Sequence, residues 1–313
     1  MSNLIFSANI VFPLFVIILA GFLFRKTGFV DERFLHTADR LTFLFLLPIV
    51  LFVNVYQADL KSVLNGRLIL FVFCGIVAVN LMAFLLVPLF VKDNGRRGTM
   101  IQAVTRSNYI LIGIPICQLI YGIQGAVEVS VVAAVYVPTV NFFAVLALST
   151  FNRGEKKGWK GLARNLISNP FIVSIFLALA LNLSGIGFPE FLDRALSQIA
   201  AMATPFALLL LGAEFDMSSI RGNAKAIVLG TLSKLLLMPA CVLAVAYLMG
   251  FRGLDYVIIM TAFASPVAVS SSIMAKNMAC DDRLASHLVV STTLFSAVSL
   301  FLLLFVSKSL GIM

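Results

Sequence analysis

Apolar residues fill this chain in long blocks, separated by short polar breaks. A helix needs about 20 apolar residues, at 1.5 Å rise each, to cross the hydrocarbon core of a bilayer. Blocks of that length predict ten helical spans. They run roughly over 4–24, 35–56, 68–91, 99–120, 126–149, 166–184, 194–213, 224–249, 255–278 and 284–308. The expected fold class is therefore an all-α polytopic membrane protein. The first block, Leu4 to Phe24, has no basic residue before it and is longer than a signal-peptide core, so it reads as a retained span.

Composition agrees with that pattern. Of 313 residues, 61% are hydrophobic and 12% charged, and the mean hydropathy is +1.04. A soluble domain of this length has no use for so much apolar surface. The net charge of +9 would suit nucleic acid, but the basic residues sit in short connections between apolar blocks, so no nucleic-acid partner is expected. The odd-numbered connections and adjoining span ends carry sixteen Lys and Arg, against five in the even-numbered connections and termini. The positive-inside rule then puts the odd connections in the cytoplasm and both termini outside, in a plasma or inner cell membrane. Cys74, Cys117, Cys241 and Cys280 form no C-x-x-C pair, and His36 and His287 have no ligand pattern around them. No metal site or cofactor is expected.

The longest polar linker runs from Asn152 to Arg164. It divides the chain into a first unit of five spans (1–151), a linker (152–165) and a second unit of five spans (166–313). The two units repeat. An offset of 157 carries Pro13 to Pro170, Gly28 to Gly185, Phe34 to Phe191, Leu35 to Leu192, Pro48 to Pro205 and Asp59 to Asp216. Five is odd, so the second unit enters the membrane with opposite orientation. Two inverted five-helix repeats are an architecture of secondary transporters.

Two spans carry residues that lipid-facing helices avoid. Span four holds Arg106-Ser107-Asn108-Tyr109-Ile110-Leu111-Ile112-Gly113-Ile114-Pro115, and span nine holds Ser265-Pro266 followed by Ser270-Ser271-Ser272. A charge at mid-bilayer costs roughly 2.5–3.5 kcal/mol on insertion scales, so such residues face protein or a water-filled cavity. Gly113-x-Pro115 and Pro266 are expected to break their helices, exposing amide groups at the start of each second half-helix, a partial positive end that favours anions. Asn108, Tyr109, Gly113, Pro115, Asn141 in span five, Ser265, Pro266, Ser270 and Ser271 are the expected binding residues. Arg106 and Lys234 are basic residues inside spans, either snorkelling to the interface or compensating an anion. Glu128 is an interfacial acid or a proton carrier, and Asp59 and Asp216 are expected to cap span ends.

From Asn108 to Pro115 the chain resembles the auxin efflux carrier family, which includes plant PIN proteins and bacterial malate permease-like transporters. The likeness continues through Tyr121-Gly122, Asn169-Pro170, Leu211-Gly212, Lys234 with Pro239, Ser265-Pro266 and Ala275-Lys276. It implies ten helices in two inverted repeats, with broken spans four and nine crossing. Spans one, two, six and seven would form a scaffold and a homodimer contact. Spans three to five and eight to ten would move as a transport domain. The linker from Asn152 is shorter than the cytoplasmic loop of many plant members, so an auxin substrate does not follow from the resemblance. The expected function is a permease: elevator-type secondary transport of a small organic anion, a carboxylate or dicarboxylate such as malate, or an auxin-like acid, coupled to H+ or Na+ or to neither. Two alternatives stand beside it: a sodium-coupled bile-acid-type symporter and a membrane sensor that binds ligand without moving it. No Ser/His, paired-Asp or metal arrangement falls within the spans, so no enzyme is expected.

Overall fold

The computed structural model describes residues 3–58, 65–151, 170–214 and 224–313. The linker from Asn152, Asp59 and Asp216 lie outside them, as does Asn169. Among the described residues the regular structure is helical, and seven helices are long and apolar enough to cross a membrane. The fold is that of a multi-pass membrane protein.

Helix α1 (Asn3–Lys26) forms span one. Span two is α2 (Glu32–Leu41), a π-helical turn (Thr42–Leu46) and α3 (Leu47–Tyr56) in continuous register. Helix α4 (Gly66–Phe90) is span three. Span four is broken into α5 (Asn94–Thr105) and the first part of α6 (Tyr109–Thr150), whose second part is span five. Helices α7 (Pro170–Ser184) and α8 (Glu190–Ala213) are spans six and seven. Span eight is α9 (Ala224–Leu232), a second π-turn (Ser233–Leu237) and α10 (Met238–Leu248). Span nine is broken into α11 (Gly253–Ala264) and α12 (Ser270–Asn277), and α13 (Asp282–Ser309) is span ten.

Several starts are written locally. The carboxylates of Asp31, Asp93 and Asp281 and the side-chain amide oxygen of Asn65 each accept from a backbone N–H three residues on, at 2.7–3.1 Å. This satisfies one of the donors that a helix leaves unpaired at its first turn. The turn between spans four and five is made at Gly122, whose φ of 69° lies in the left-handed region that glycine enters without steric cost. At the same offset of 157 stands Ala279, the single non-glycine residue with positive φ among those described, at 54°. Gly28 and Gly185, another pair at that offset, also both have positive φ.

Spans one, two, six and seven pack on one another, with α1 against α8 and α3 against α7. The α1–α8 crossing is set by two glycines. A Cβ on Gly21 would lie 1.8 Å from the Leu209 carbonyl oxygen, and one on Gly212 would lie 1.7 Å from that of Ile18. Only residues without a side chain allow two backbones to approach so closely. Elsewhere, α5, α6, α11, α12 and α13 pack around the two breaks, and apolar side chains of both groups join in one continuous core.

Candidate functional site

The two breaks meet. Ser107 and Val267 form an antiparallel β-bridge, and the Asn108 amide donates to the Pro266 carbonyl at 2.7 Å. Each break frees backbone groups that lipid could not satisfy, and each uses the other as its partner. Neighbouring spans complete the pairing. Tyr136 of span five accepts from the Ser107 amide and donates to the Ala262 carbonyl, both at 3.1 Å. Thr292 of span ten accepts from the Val267 amide at 3.0 Å. Sequence alone did not single out Tyr136 or Thr292, because an isolated hydroxyl in a span has no signature until its partner is placed.

The position of the first break corrects the expectation. It lies at Arg106–Asn108, and Gly113 and Pro115 sit inside the continuous helix α6. A proline within a helix removes one i→i−4 bond and bends it, without ending it when the rest of the ladder holds. Gly113 serves packing: a Cβ there would sit 3.2 Å from the Thr261 hydroxyl and from the Tyr109 ring. In span nine the break falls at Ser265–Val269, where Pro266 was expected to place it.

Beside the crossing lies a cavity of about 390 Å³, within the size range of small-ligand sites. Its polar lining comes from Arg106, Ser107, Asn108, Tyr136, Asn141 and Ser270. Tyr109, Ile110 and Leu111, the first turn of α6, also line it, so the positive end of that half-helix faces the space. The remaining wall is largely apolar and includes Phe43, Leu44 and Leu47 of span two, Val137, Val140 and Val145 of span five, and Pro170 and Phe171 of span six. The cavity thus sits between spans two and six on one side and the crossing on the other.

Arg106 does not snorkel. Its guanidinium donates to the Ser270 hydroxyl at 3.0 Å and to the Met274 sulfur at 2.7 Å, bridging the two broken spans across the cavity wall. The Asn108 side-chain nitrogen is buried and has no hydrogen-bond partner within the protein. A buried amide donor without a partner costs about 1–3 kcal/mol, which a ligand oxygen would recover.

Other predicted residues lie apart from the cavity. Ser265 is fully buried and its hydroxyl donates to the Thr261 carbonyl at 2.5 Å. Ser271 is buried with its hydroxyl unpaired, and neither it nor Pro266 lines the cavity. Glu128 accepts from Gln124 at 3.0 Å near the start of the second part of α6. Lys234 is 0% exposed and lies behind the crossing, donating to the Ser107 hydroxyl at 2.5 Å. Among the described residues no group of three or more His, Cys, Asp or Glu is placed to hold a metal.

A comparison with protein families finds a match to the membrane transport protein family over residues 6–158 and 157–304. Two similar proteins are archaeal. One, an uncharacterized transporter of Methanothermobacter thermautotrophicus, is 23% identical over 94% of this chain and 96% of its own length. The other, an uncharacterized transporter of Methanocaldococcus jannaschii, is 18% identical over 92% of this chain and 94% of its own. With a family match over nearly its whole length and a crossed pair of broken spans at its centre, the chain belongs to the membrane transport protein family, the auxin efflux carrier-like transporters.

Proposed function

We propose that this protein is a secondary transporter of a small organic anion carrying one or two carboxylates, and that the anion binds in the cavity beside the crossing. The observation that carries the reading is the side-chain nitrogen of Asn108, buried without a protein partner, in a wall that also holds Arg106. A carboxylate would accept from Asn108 and from the first turn of α6 and would face the guanidinium. Charge-assisted hydrogen bonds of this kind are about twice as strong as neutral ones. Asn141 and Ser270 supply further neutral contacts.

The mechanism we infer is elevator-like. The cavity wall is shared between spans two and six and the crossing, so sliding one group against the other would carry the bound anion across. Spans one, two, six and seven would be the static scaffold and the contact of a homodimer. Spans three to five and eight to ten would move. Positive-inside orientation puts the end of span five (Asn141, Val145) and the start of span six (Pro170, Phe171) on the cytoplasmic side. The conformation described is thus read as inward-facing.

The test is flux in reconstituted vesicles. Purified protein is screened against small mono- and dicarboxylates by thermal shift, and the stabilising acids are then offered as labelled substrate with and without proton and sodium gradients. Saturable uptake of a carboxylate that Asn108→Ala lowers at least tenfold is the expected result. Tight binding with no flux would favour the ligand-sensor reading instead.

A further inference from the structure

Lys234 is the most deeply buried charged side chain described, and no ion pair forms at it among the described residues. Its partners are the Ser107 hydroxyl at 2.5 Å and the Phe263 carbonyl at 3.4 Å. An ammonium out of water and without a counter-charge is costly, so the surroundings must compensate it. Both partners stand at the same kind of place. Phe263 is in the last turn of α11, and Ser107 directly follows the last turn of α5 and its cap, Arg106. These are the C-terminal ends of the two first half-helices. Each such end is equivalent to about −0.5 charge, so together they match one cation. The charges at the crossing are thereby sorted: Arg106 and the positive end of α6 face the cavity, and the ammonium occupies the negative ends behind it.

Lys234 lies in the π-turn Ser233–Leu237, which packs against both α5 and α11. Carbonyl and hydroxyl oxygens gathered at two helix C-termini are also what a bare sodium ion would use. We propose that Lys234 is a resident cation of the crossing, a positioning residue that acts through Ser107 and Phe263 and removes the need for a coupling sodium ion there. The proposal rests on the chain being a transporter that works through this crossing. Its readout below needs no substrate, so it fails separately from the carboxylate assignment.

The full-length protein in detergent is melted in sodium, potassium, choline and methylammonium chloride at equal ionic strength, beside Lys234→Ala and Lys234→Met. Wild type is expected to melt at one temperature in all four salts. Lys234→Ala, which opens space among the oxygens, should melt lower in choline. It should recover about 2–4 °C in sodium or methylammonium, the size expected of a weak ligand at tenfold its dissociation constant. Lys234→Met fills the volume without the charge and should stay low in every salt. Stabilisation of wild type by sodium over choline overturns the proposal. So does a Lys234→Met protein that melts at or above wild type, or a Lys234→Ala protein that no cation rescues. Should neither variant fold, the wild-type comparison decides alone: indifference to sodium supports the proposal, and sodium stabilisation overturns it.

Discussion

The amide of Asn108 and the carbonyl of Pro266 are joined at 2.7 Å, although 158 positions separate them along the chain. That bond and the Ser107–Val267 bridge make each broken span the hydrogen-bonding partner of the other. The break therefore does not expose unpaired backbone to lipid, and the neighbouring Arg106 and Asn108 line the cavity.

Asn108→Ala removes a buried, unpartnered side-chain amide donor from the cavity wall and breaks no internal hydrogen bond of that side chain. Carboxylate uptake should fall at least tenfold, the scale of a lost hydrogen bond to a charged group. The melting temperature should stay within about 2 °C of wild type. Uptake at the wild-type rate would remove Asn108 from the site.

Arg106→Gln and Arg106→Lys separate charge from shape. The guanidinium contacts both the Ser270 hydroxyl and the Met274 sulfur, a reach that a lysine's single ammonium does not duplicate. Arg106→Gln should raise the half-saturation concentration for a carboxylate at least tenfold. Arg106→Lys should fall between it and wild type. Equal half-saturation for all three would show that the charge does not meet substrate.

Tyr136→Phe deletes a hydroxyl that ties the Ser107 amide to the Ala262 carbonyl. Leaving those groups short of a partner costs about 1–3 kcal/mol. The melting temperature should fall by several degrees, and Thr292→Val, which orphans the Val267 amide, should do the same. Melting at the wild-type temperature in both would mean that the crossing is not held from spans five and ten.

Gly212→Ala and Gly21→Ala place a methyl group against backbone carbonyls of the facing helix. Backbone cannot give way as a side-chain tip can, so overpacking of about 1–3 kcal/mol or more is expected. A drop of about 5 °C or more in melting temperature is the readout. Gly66→Ala meets nothing within 4 Å and serves as the control that should melt near wild type.

The orientation is tested by thiol labelling in whole cells. A cysteine at Arg33 should be reached only by a membrane-permeant reagent, and one at Arg252 by an impermeant one as well. The reverse pattern would invert the positive-inside assignment.

Much of this was legible in the chain. Span positions followed from the length of the apolar blocks, because a bilayer fixes how many helical residues cross it. The second break was readable at Pro266, where a missing amide coincides with a true end of helix. The first was misplaced by several residues. Gly113 and Pro115 look like a break, yet the helix runs through them, and the chain opens instead at Arg106–Asn108, where no proline marks it.

The sequence by itself determined that the chain is a membrane protein of about ten spans with two polar interruptions, and it named Arg106, Asn108 and Lys234 as residues out of place in lipid. Only the tertiary structure decided what each does there. Arg106 and Asn108 line a cavity, whereas Lys234 is sealed behind the crossing at two helix ends. The physical reason is that the cost of a polar group in a membrane depends on its partners: Ser270 and Met274 for Arg106 and Ser107 for Lys234 all come from segments more than a hundred residues away.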